Sequence, residues 1–520
     1  QLARQIVAGT APFEPYWQAP LYPLVLAGFQ WGFGDSLYAV QWFHIVVGSL
    51  NCVLLFHLSE TLFGLRTAVV TGAIAVLYAP FWLFDVQPLP ANLTVLLYLL
   101  MALSYLRFRT NGEVAWLGAA GVLLGAAIVT HGLAIFTLPV FVYDLASCRR
   151  EQDGPARRLG RCIALFLAVT LLAPAAVSVR NSLAAGTPIF VSYNAGINLF
   201  VGNNRDLEQT LARRGGFEWT ELFRDPYTSG AKEPAAMNRF FIDRVVEEWL
   251  EAPGALLIGS FQKVLLAISG SEPKRNFPIY PLRESSWALS ASLFEISAFG
   301  RVLFAYPAGL IIPLAIFGFL VVRREGIPQG RSGAQVCLPG WIAICHMLGM
   351  VVFFPASRYR VPGLILLIPY AAEIAVRVFD RMRSGAAHGD RVWSPTWTGA
   401  VAAALLFVVV NPVASNMFRH PIKERAEHLY FDTLWEKDKL RFSQSVSGQQ
   451  RMLALANETM RIDPGYAEPV HFLALYYLDH DIARSVALFE KLNELVPNDT
   501  SVLRQLQAAT IMRDKQESGP

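Results

Sequence analysis

The 520-residue chain is 54% hydrophobic and 16% charged, whereas soluble domains carry about 25% charged residues. Its net charge is +4, and its Lys and Arg residues lie in short clusters between apolar runs, as in proteins that are oriented in a membrane. This pattern does not indicate a nucleic-acid partner. The five cysteines have no C-x-x-C spacing, so they indicate neither a zinc site nor a disulfide framework. We therefore predict a polytopic membrane protein.

The first 35 residues do not have the composition of a signal peptide. The chain opens at Gln1 without a Met, a basic segment or an apolar core. We expect residues 1–35 to be part of a first outer loop that follows a transmembrane helix upstream. Two short helices around a turn are predicted here, with an aromatic, proline-rich stretch from Tyr16 to Pro23. Such a stretch is also typical of the aromatic belt at a membrane surface.

Apolar runs long enough to cross a bilayer fill most of residues 36–412. A helix needs about 20 residues to cross about 30 Å of hydrocarbon, and about ten runs meet this length. Their approximate bounds are 36–62, 67–84, 89–106, 114–131, 132–147, 161–179, 303–322, 336–354, 361–378 and 396–412. A further apolar run, 254–268, lies within the large loop 180–302. We predict that this run is interfacial or re-entrant.

The distribution of basic residues predicts the orientation of these spans, because Lys and Arg in short loops stay on the cytoplasmic side. Alternate loops are basic; they contain Arg66, Arg107 and the segments 149–161, 323–331 and 377–391. The loops near Asp85 and His131 contain no Lys or Arg. We therefore predict that the 180–302 loop and the C-terminal tail face outward, into the periplasm of a bacterium, from its inner membrane.

The tail from residue 415 to 520 is polar and has helical periodicity. Pro464 and Pro497 are 33 residues apart, and each follows an amphipathic run. Tyr476, Phe489 and Pro497 stand at the aromatic and proline positions of a 34-residue tetratricopeptide unit. We predict two to three helical hairpins that form a soluble domain and provide a surface for a protein partner.

Three sequence motifs occur in order along the chain. The first is L-A-x-x-I-x-x-G from Leu2, followed by P-L-Y-P from Pro20 and an apolar run that ends in F-G. The second is R-N-x-x-x-x-G from Arg180, followed by G-x-N-L-x-x-G-N-N from Gly196. The third is R-Y-R-x-P from Arg358, at the predicted outward end of a late span.

On this predicted topology, the three motifs resemble the integral-membrane glycosyltransferases of the GT-C fold, in glycosyltransferase family 39. The resemblance covers about residues 1–412 and is to the bacterial relatives of protein O-mannosyltransferase and aminoarabinose transferase. It implies an all-α membrane helix bundle that moves a sugar, with inversion, from a polyprenyl-phosphate donor to a lipid, glycan or protein acceptor. The catalytic Asp of this family is in the first outer loop, so its equivalent is expected upstream of Gln1. Some relatives use a divalent metal, but no motif of this chain specifies one.

The resemblance also implies candidate site residues. Asp85 stands where the family has a second acidic residue, so it is either catalytic or a helix cap. His131 replaces a common Lys or Arg, and it either hydrogen-bonds a lipid phosphate or caps a helix. The Lys that often precedes the first-loop proline is also missing, since Gln18 and Ala19 stand before Pro20.

Arginines suit a phosphate clamp, because the guanidinium fork matches phosphate oxygens. Arg180, Arg358 and Arg360, around Tyr359, are therefore clamp candidates, with snorkelling to the headgroup layer as the alternative. Asn203 either shapes a turn or contacts the sugar. The remaining candidate substrate-binding residues, all in the first loop, are Glu14, Gln18 and Tyr22.

Two other functions remain open from the sequence. A transporter or flippase of lipid-linked sugars would have related helix halves and charges near the middle of the bilayer. A non-catalytic membrane anchor would only display the tail for docking. The predicted clustering of polar residues at one outward surface favours sugar transfer over transport.

Overall fold

The computed structural model describes residues 2–147, 156–275, 279–283, 286–325, 333–384, 397–440, 443 and 445–517. Parts of three predicted cytoplasmic loops, containing Arg149, Arg331 and Arg391, lie outside the described residues, as does Gln1. The chain divides into two compact units. The first contains residues 1–211, 229–273 and 291–417, and the second contains residues 212–228, 274–290 and 418–520.

The first unit is built from helices and one short β-hairpin. Its helices up to residue 211 are α1 (Leu2–Val7), α2 (Leu21–Phe33), α3 (Leu37–Phe63), α4 (Leu65–Leu77), α5 (Ala79–Asp85), α6 (Ala91–Asn111), α7 (Val114–Thr130), the 3₁₀ helix Gly132–Thr137, α8 (Leu138–Ser147), α9 (Ala156–Ala185), α10 (Ala195–Gly202) and α11 (Leu207–Leu211). In the second unit, α12 (Phe217–Glu221) and α13 (Arg224–Thr228) follow.

The remaining elements of the first unit include its last spans. They are α14 (Pro234–Glu251), α15 (Pro253–Ala267), β1 (Phe294–Ala298), β2 (Arg301–Tyr306), α18 (Ala308–Glu325), α19 (Gly333–Val352), α20 (Ser357–Leu364), the 3₁₀ helix Ile365–Leu367, α21 (Ile368–Ser384), α22 (Trp397–Val408), a π-helical turn (Val409–Val413) and the 3₁₀ turn Ala414–Asn416. Between α15 and β1, helices α16 (Ile279–Arg283) and α17 (Trp287–Ser292) extend from the second unit to the boundary of the first.

Helices dominate because a bilayer offers no water to satisfy backbone groups. Six helices in the described residues are long and apolar enough to span a membrane, and α4 with α5 and α14 with α15 form two bent pairs. Helices 114–130 and 132–147 are apolar but shorter. The prediction of an all-α membrane protein is confirmed for the described residues, apart from the β1–β2 hairpin. The predicted orientation stays a prediction.

One predicted span differs from the structure, and a second predicted segment gains detail. In place of the span predicted at 303–322 stands the helix α18, which begins only at Ala308 because residues Arg301–Tyr306 pair antiparallel with Phe294–Ala298; it is not among the candidate spans of the described residues. The apolar run 254–268 is the helix α15, which makes an angle of 110° with α14 at Ala252. Pro253 starts α15 without needing a backbone donor, so the chain turns sharply here. This geometry is that of a broken span or of a re-entrant loop.

The second unit combines the tail with two segments of the large loop. Its tail helices are α23 (Pro421–Leu440), α24 (Val446–Ile462), α25 (Ala467–Tyr477), α26 (Ile482–Leu495) and α27 (Thr500–Glu517). The core between the last three helices includes the buried residues Val470, Phe489 and Val502. The predicted helical hairpins are therefore present, and their classification as tetratricopeptide repeats stays a prediction.

A buried arginine joins the loop segment 212–228 to the tail. Arg214 is 4% exposed, and its guanidinium lies 3.3 Å from a Glu218 carboxylate oxygen, 3.2 Å from Glu427 and 2.6 Å from Asp463. Its Cζ also lies 3.8 Å from the centre of the Tyr466 ring. Because three carboxylates surround one buried cation, its removal leaves them without their shared counter-charge.

We therefore expect Arg214→Met to destabilise the second unit by about 3–5 kcal/mol, the usual cost of removing one partner from a buried ion pair. Thermal unfolding and limited proteolysis of the tail in the purified membrane protein measure this effect. Arg239→Met is the matched control, since the Arg239 side chain is 83% exposed and its ion pair with Asp243 is at the surface. Equal stability of the two variants would contradict the structural role of Arg214.

A second prediction concerns pH and the Glu468 carboxylate, which accepts a hydrogen bond of 2.8 Å from the Phe217 backbone N–H. Burial raises the pKa of Glu468 above its ordinary value. The ionised form therefore costs folding free energy at neutral pH, whereas below about pH 4 both folded and unfolded chains bind the proton and the cost disappears. We expect Glu468→Gln to raise the unfolding temperature at pH 7.5 and to change it little at pH 4.

The matched control for this experiment is Glu458→Gln in α24. The hydrogen bond from Arg461 lowers the pKa of Glu458, so its ionised form contributes stability and the substitution should have the opposite, smaller effect at pH 7.5. If Glu468→Gln is less stable than the parent at pH 7.5, the buried carboxylate stabilises the folded unit and the prediction is wrong.

Candidate functional site

A cavity of about 450 Å³ lies in the first unit, where the first loop, the start of the large loop and the R-Y-R motif meet. Its lining comes from residues 18–23, 89–94, 130–136, 190–198 and 353–362. This size is in the usual range for small-molecule sites. Among the predicted site residues, the lining includes Gln18, Tyr22, His131, Arg358 and Tyr359. The structure places the others outside it: Glu14, Asp85, Arg180, Asn203 and Arg360.

Arg358 is the one formally charged side chain in the described lining of this cavity. It is partly buried, and its guanidinium donates to the Tyr359 hydroxyl over 3.3 Å, with Cζ 4.9 Å from the ring centre. Most N–H donors of the Arg358 guanidinium therefore remain available for a ligand. An oxyanion that enters the cavity would meet this side chain as its counter-charge.

Two histidines and two tyrosines support the same wall. The ring of His131 lies 4.7 Å from that of Tyr359, and its Nδ1 has no hydrogen-bond partner among the described residues. His346 is fully buried; its Nε2 donates to the Tyr359 carbonyl over 2.7 Å, so its Nδ1 accepts from the Tyr98 hydroxyl over 2.9 Å. These two hydrogen bonds hold the backbone of Tyr359, and His131 packs against the Tyr359 ring with its Nδ1 buried.

The R-N motif ties the first loop to the large loop. Arg180 donates to the Glu14 carbonyl over 2.6 Å and stacks on Tyr16, with Cζ 3.9 Å from the ring centre. The fully buried Asn181 accepts from the Tyr16 N–H and donates to the carbonyls of Phe190 and Val191. Because both tethered segments continue into the cavity lining, this motif shapes one of its walls without entering it.

The G-N-N motif makes a second tether. Asn203 donates to the Val352 carbonyl over 2.8 Å and accepts from Lys263 Nζ over 3.1 Å, and Lys263 is only 1% exposed. A side chain at Gly202 would clash with the Phe353 carbonyl, so only glycine allows the end of α10 to approach the end of α19 this closely. Asn203 thus shapes the backbone next to the cavity, which is one of the two roles left open above.

Asp85 lies at the end of α5, against another helix. Its carboxylate accepts a hydrogen bond from Asn92, and it approaches Gly48 of α3 so closely that any side chain there would collide with it. Asn92 also donates to the Phe81 carbonyl over 3.2 Å. These contacts are those of a carboxylate that secures a helix end. Its predicted catalytic role stays a prediction.

Arg360 forms a completely buried ion pair. Its guanidinium lies 2.6 Å from Glu272 Oε1 and donates to the Ser269 carbonyl over 2.5 Å, and both charged side chains are at most 1% exposed. Ser357 donates its hydroxyl to Glu272 and its N–H to the Pro273 carbonyl. Residues 269–273 of the large loop are therefore held at the start of α20, which carries Arg358 and Tyr359.

Within the described part of the chain, no three His, Cys, Asp or Glu residues come together in an arrangement that fits a metal ion. The polar groups in the described lining of the cavity are one guanidinium, an imidazole, hydroxyls and amides. These groups are hydrogen-bond donors for an anion and for sugar hydroxyls.

The sequence of the N-terminal part matches a known family. Residues 17–177 match the family model described as dolichyl-phosphate-mannose-protein mannosyltransferase. The predicted family resemblance is confirmed over these residues. This family region supplies the lining residues up to 136, including Gln18, Tyr22 and His131. A search of curated proteins found no significant match.

Several solved structures are similar at low identity. One is the archaeal oligosaccharyltransferase AglB from Archaeoglobus fulgidus in complex with an inhibitory peptide and a dolichol-phosphate, with 11% identity, 86% of this chain and 54% of that chain covered, and a TM-score of 0.36. The present chain thus spans about half the length of AglB. Another is ArnT from Cupriavidus metallidurans bound to undecaprenyl phosphate, with 16% identity, 73% of both chains covered and a TM-score of 0.29. Its apo structure gives 17% identity, the same coverage and a TM-score of 0.30. TM-scores below 0.5 do not establish a common fold.

Sequence reasoning missed the buried groups that hold the site. Lys263 and Glu272 lie in the large loop, far from any motif, and His346 lies within an apolar span. A charged or imidazole side chain inside an apolar run is a signal that marks such residues. For Glu272 the sequence offers no such signal, since it stands in a polar stretch next to Ser271.

The Arg360–Glu272 pair yields a prediction that separates a structural from a ligand-binding arginine. We expect Arg360→Met to destabilise the protein by about 3–5 kcal/mol, because Glu272 loses its buried guanidinium partner. The double variant Arg360→Met with Glu272→Met should recover most of this loss, since apolar side chains replace both charges. Thermal unfolding in detergent measures the stability of the parent, the single variant and the double variant.

The outcome also tests Arg360 as a phosphate ligand. If the double variant is stable and still binds undecaprenyl phosphate as the parent does, Arg360 has only its structural role. If the double variant stays as unstable as the single one, the pair does not act as a coupled unit, and our account of Arg360 fails.

Proposed function

We propose that this protein is a membrane glycosyltransferase that moves a sugar from a polyprenyl-phosphate donor to an acceptor at the outward mouth of the cavity. The observation that carries the proposal is the convergence of three motif segments on one cavity whose described lining holds a single formal charge, on Arg358. The match of residues 17–177 to a family of lipid-phosphate-dependent mannosyltransferases supports it.

Arg358 is the residue that we assign to the phosphate. Negative charge grows on the leaving phosphate as the glycosidic bond breaks, so a guanidinium beside it stabilises the transition state more than the ground state. Tyr359 and His131 line the same wall, and the Tyr359 hydroxyl adds a hydrogen-bonding group there. The buried tethers hold this wall in place, which reduces the reorganisation needed during reaction.

The other lining groups suit a sugar and a lipid. Gln18, Asn194 and Asn198 supply amides for sugar hydroxyls, while Phe136 and Phe353 supply apolar surface for the start of a polyprenyl chain. The acceptor hydroxyl must lose a proton to a base. We assign this step to the first-loop Asp implied by the family resemblance, because the described lining contains no carboxylate.

The remaining parts of the proposal concern location and partners. We place the protein in a bacterial inner membrane, with the cavity, the large loop and the tail on the periplasmic side. The acceptor is a lipid, a glycan or a protein, and the helical tail is a surface for a protein partner. These assignments rest on the basic-loop pattern and on the presence of helical hairpins in the tail.

The test is the substitution Arg358→Lys in the full-length protein, reconstituted with a polyprenyl-phosphate sugar. Lys keeps the charge but loses the planar fork, so we expect a loss of about 1–3 kcal/mol of transition-state stabilisation, roughly tenfold or more in kcat/KM. Donor consumption measured by thin-layer chromatography or mass spectrometry reports the rate.

Arg4→Lys is the matched control, because Arg4 pairs with Asp35 at the surface and its side chain is 69% exposed. It should turn over donor at the parental rate. An unchanged rate in Arg358→Lys rejects the phosphate contact. A protein that binds donor but never consumes it, with any acceptor lipid, glycan or peptide, favours the alternatives of a flippase or an anchor.

A further inference from the structure

The tip of the β1–β2 hairpin carries a side chain that its turn does not favour. Ala298 pairs with Arg301, so Phe299 and Gly300 form a two-residue loop, and both have positive φ, 53° and 73°. Such loops favour Asn-Gly, because Asn adopts positive φ at low cost, whereas a bulky aromatic residue there is strained. Phe299 is also fully exposed, so no packing within the described structure offsets this strain.

The hairpin is fixed to the start of α18 and to the turns that follow α22. β2 is separated from α18 by Pro307 alone. Asn411 accepts from the Ala305 N–H over 3.1 Å, and Asn416 accepts from the Val302 N–H over 2.8 Å and donates to its carbonyl over 2.7 Å. Both asparagines belong to the turns that end the last predicted span. The hairpin therefore lies next to the start of α18 and next to the end of the candidate span Gly399–Asn416.

Exposed apolar side chains lie on the hairpin and on the neighbouring helix α18 and the segment after α22. Ile296 is 54% exposed and Leu303 is 47% exposed. Leu310 of α18 and Val413 after α22 are exposed to a similar extent, and the ring of Phe304 stacks on Phe407 of α22 at 5.9 Å. Exposed apolar side chains of α18 and of the segment after α22 thus continue onto the hairpin at Ile296 and Leu303.

We propose that the β1–β2 hairpin is a membrane anchor that inserts Phe299 into the boundary between lipid headgroups and acyl chains, at the bilayer surface where α18 begins. Aromatic side chains favour this boundary, and the exposed Arg301 next to the turn is placed to contact a lipid phosphate. A lipid surface explains both the exposed apolar side chains and the retention of a strained Phe at the tip. The inference is independent of sugar transfer.

Photo-crosslinking in a bilayer tests the proposal. Benzoylphenylalanine replaces Phe299 in the full-length protein, which is reconstituted into vesicles of phosphatidylethanolamine and phosphatidylglycerol and irradiated. The control carries the same residue at Ile511, which is 55% exposed in the last tail helix. Intact-protein mass spectrometry should detect at least about fivefold more lipid adduct at position 299 than at 511. Equal yields, or adducts mainly to a second protein chain, overturn the proposal.

A second variant separates insertion of the tip from mere proximity. Phe299→Asn fits the turn better than the native residue, so the hairpin should still fold. With benzoylphenylalanine at Leu303, we expect the lipid adduct to fall at least about twofold in the Phe299→Asn background, because the tip loses its apolar contact. An unchanged yield at Leu303 shows that Phe299 does not anchor the hairpin, and it refutes the assignment.

Discussion

Irregular backbone at the ends of membrane spans has to find hydrogen-bond partners within the protein, since the bilayer offers none. In the first unit, buried asparagines meet this requirement. Asn181 bonds three backbone groups of two loops, and Asn203 donates to the carbonyls of Leu199 and Val352. Asn411 accepts a hydrogen bond from the Ala305 N–H and donates one to the Gly309 carbonyl. An amide side chain suits this task because it donates and accepts at once.

This constraint explains why the cavity has a definite shape although loops form much of it. The tethers at Asn181 and Asn203 fix the large loop at both sides of residues 190–198. The buried pair of Arg360 and Glu272 then fixes a later part of the loop to α20. Each tether stands next to lining residues but not among them. The polar groups left over at the cavity, above all Arg358, are the ones available to a ligand.

Arg180 and Arg360 therefore differ from Arg358 in the groups that they bind. Arg180 and Arg360 use their guanidinium groups on backbone carbonyls, an aromatic ring and a carboxylate, whereas Arg358 contacts only the neighbouring Tyr359 among the interactions described above. In the second unit, Arg214 likewise gathers carboxylates from a loop segment and from the tail helices. The tail thus shares its core interactions with part of the large loop and is more than an appended repeat.

The sequence by itself determined the fold class, the positions of most long apolar helices and the helical tail, because hydrophobic runs and their periodicity are local properties of the chain. It also pointed to the first-loop, R-N and R-Y-R segments, and the family match over residues 17–177 includes the end of the first of these. It did not reveal that residues 301–306 form a strand, since a short apolar run suits a strand and a segment of a helix equally.

Only the tertiary structure decided which motif residues face the cavity. Arg358 and Arg360 are two positions apart on α20, where successive side chains point in different directions, so one lines the cavity and the other is buried against Glu272. Lys263 and Glu272 approach Asn203 and Arg360 across 60 and more residues of chain, and no local pattern encodes such pairing. The partners of a buried charge are set by how the helices and loops pack, and this information is spread over the whole chain.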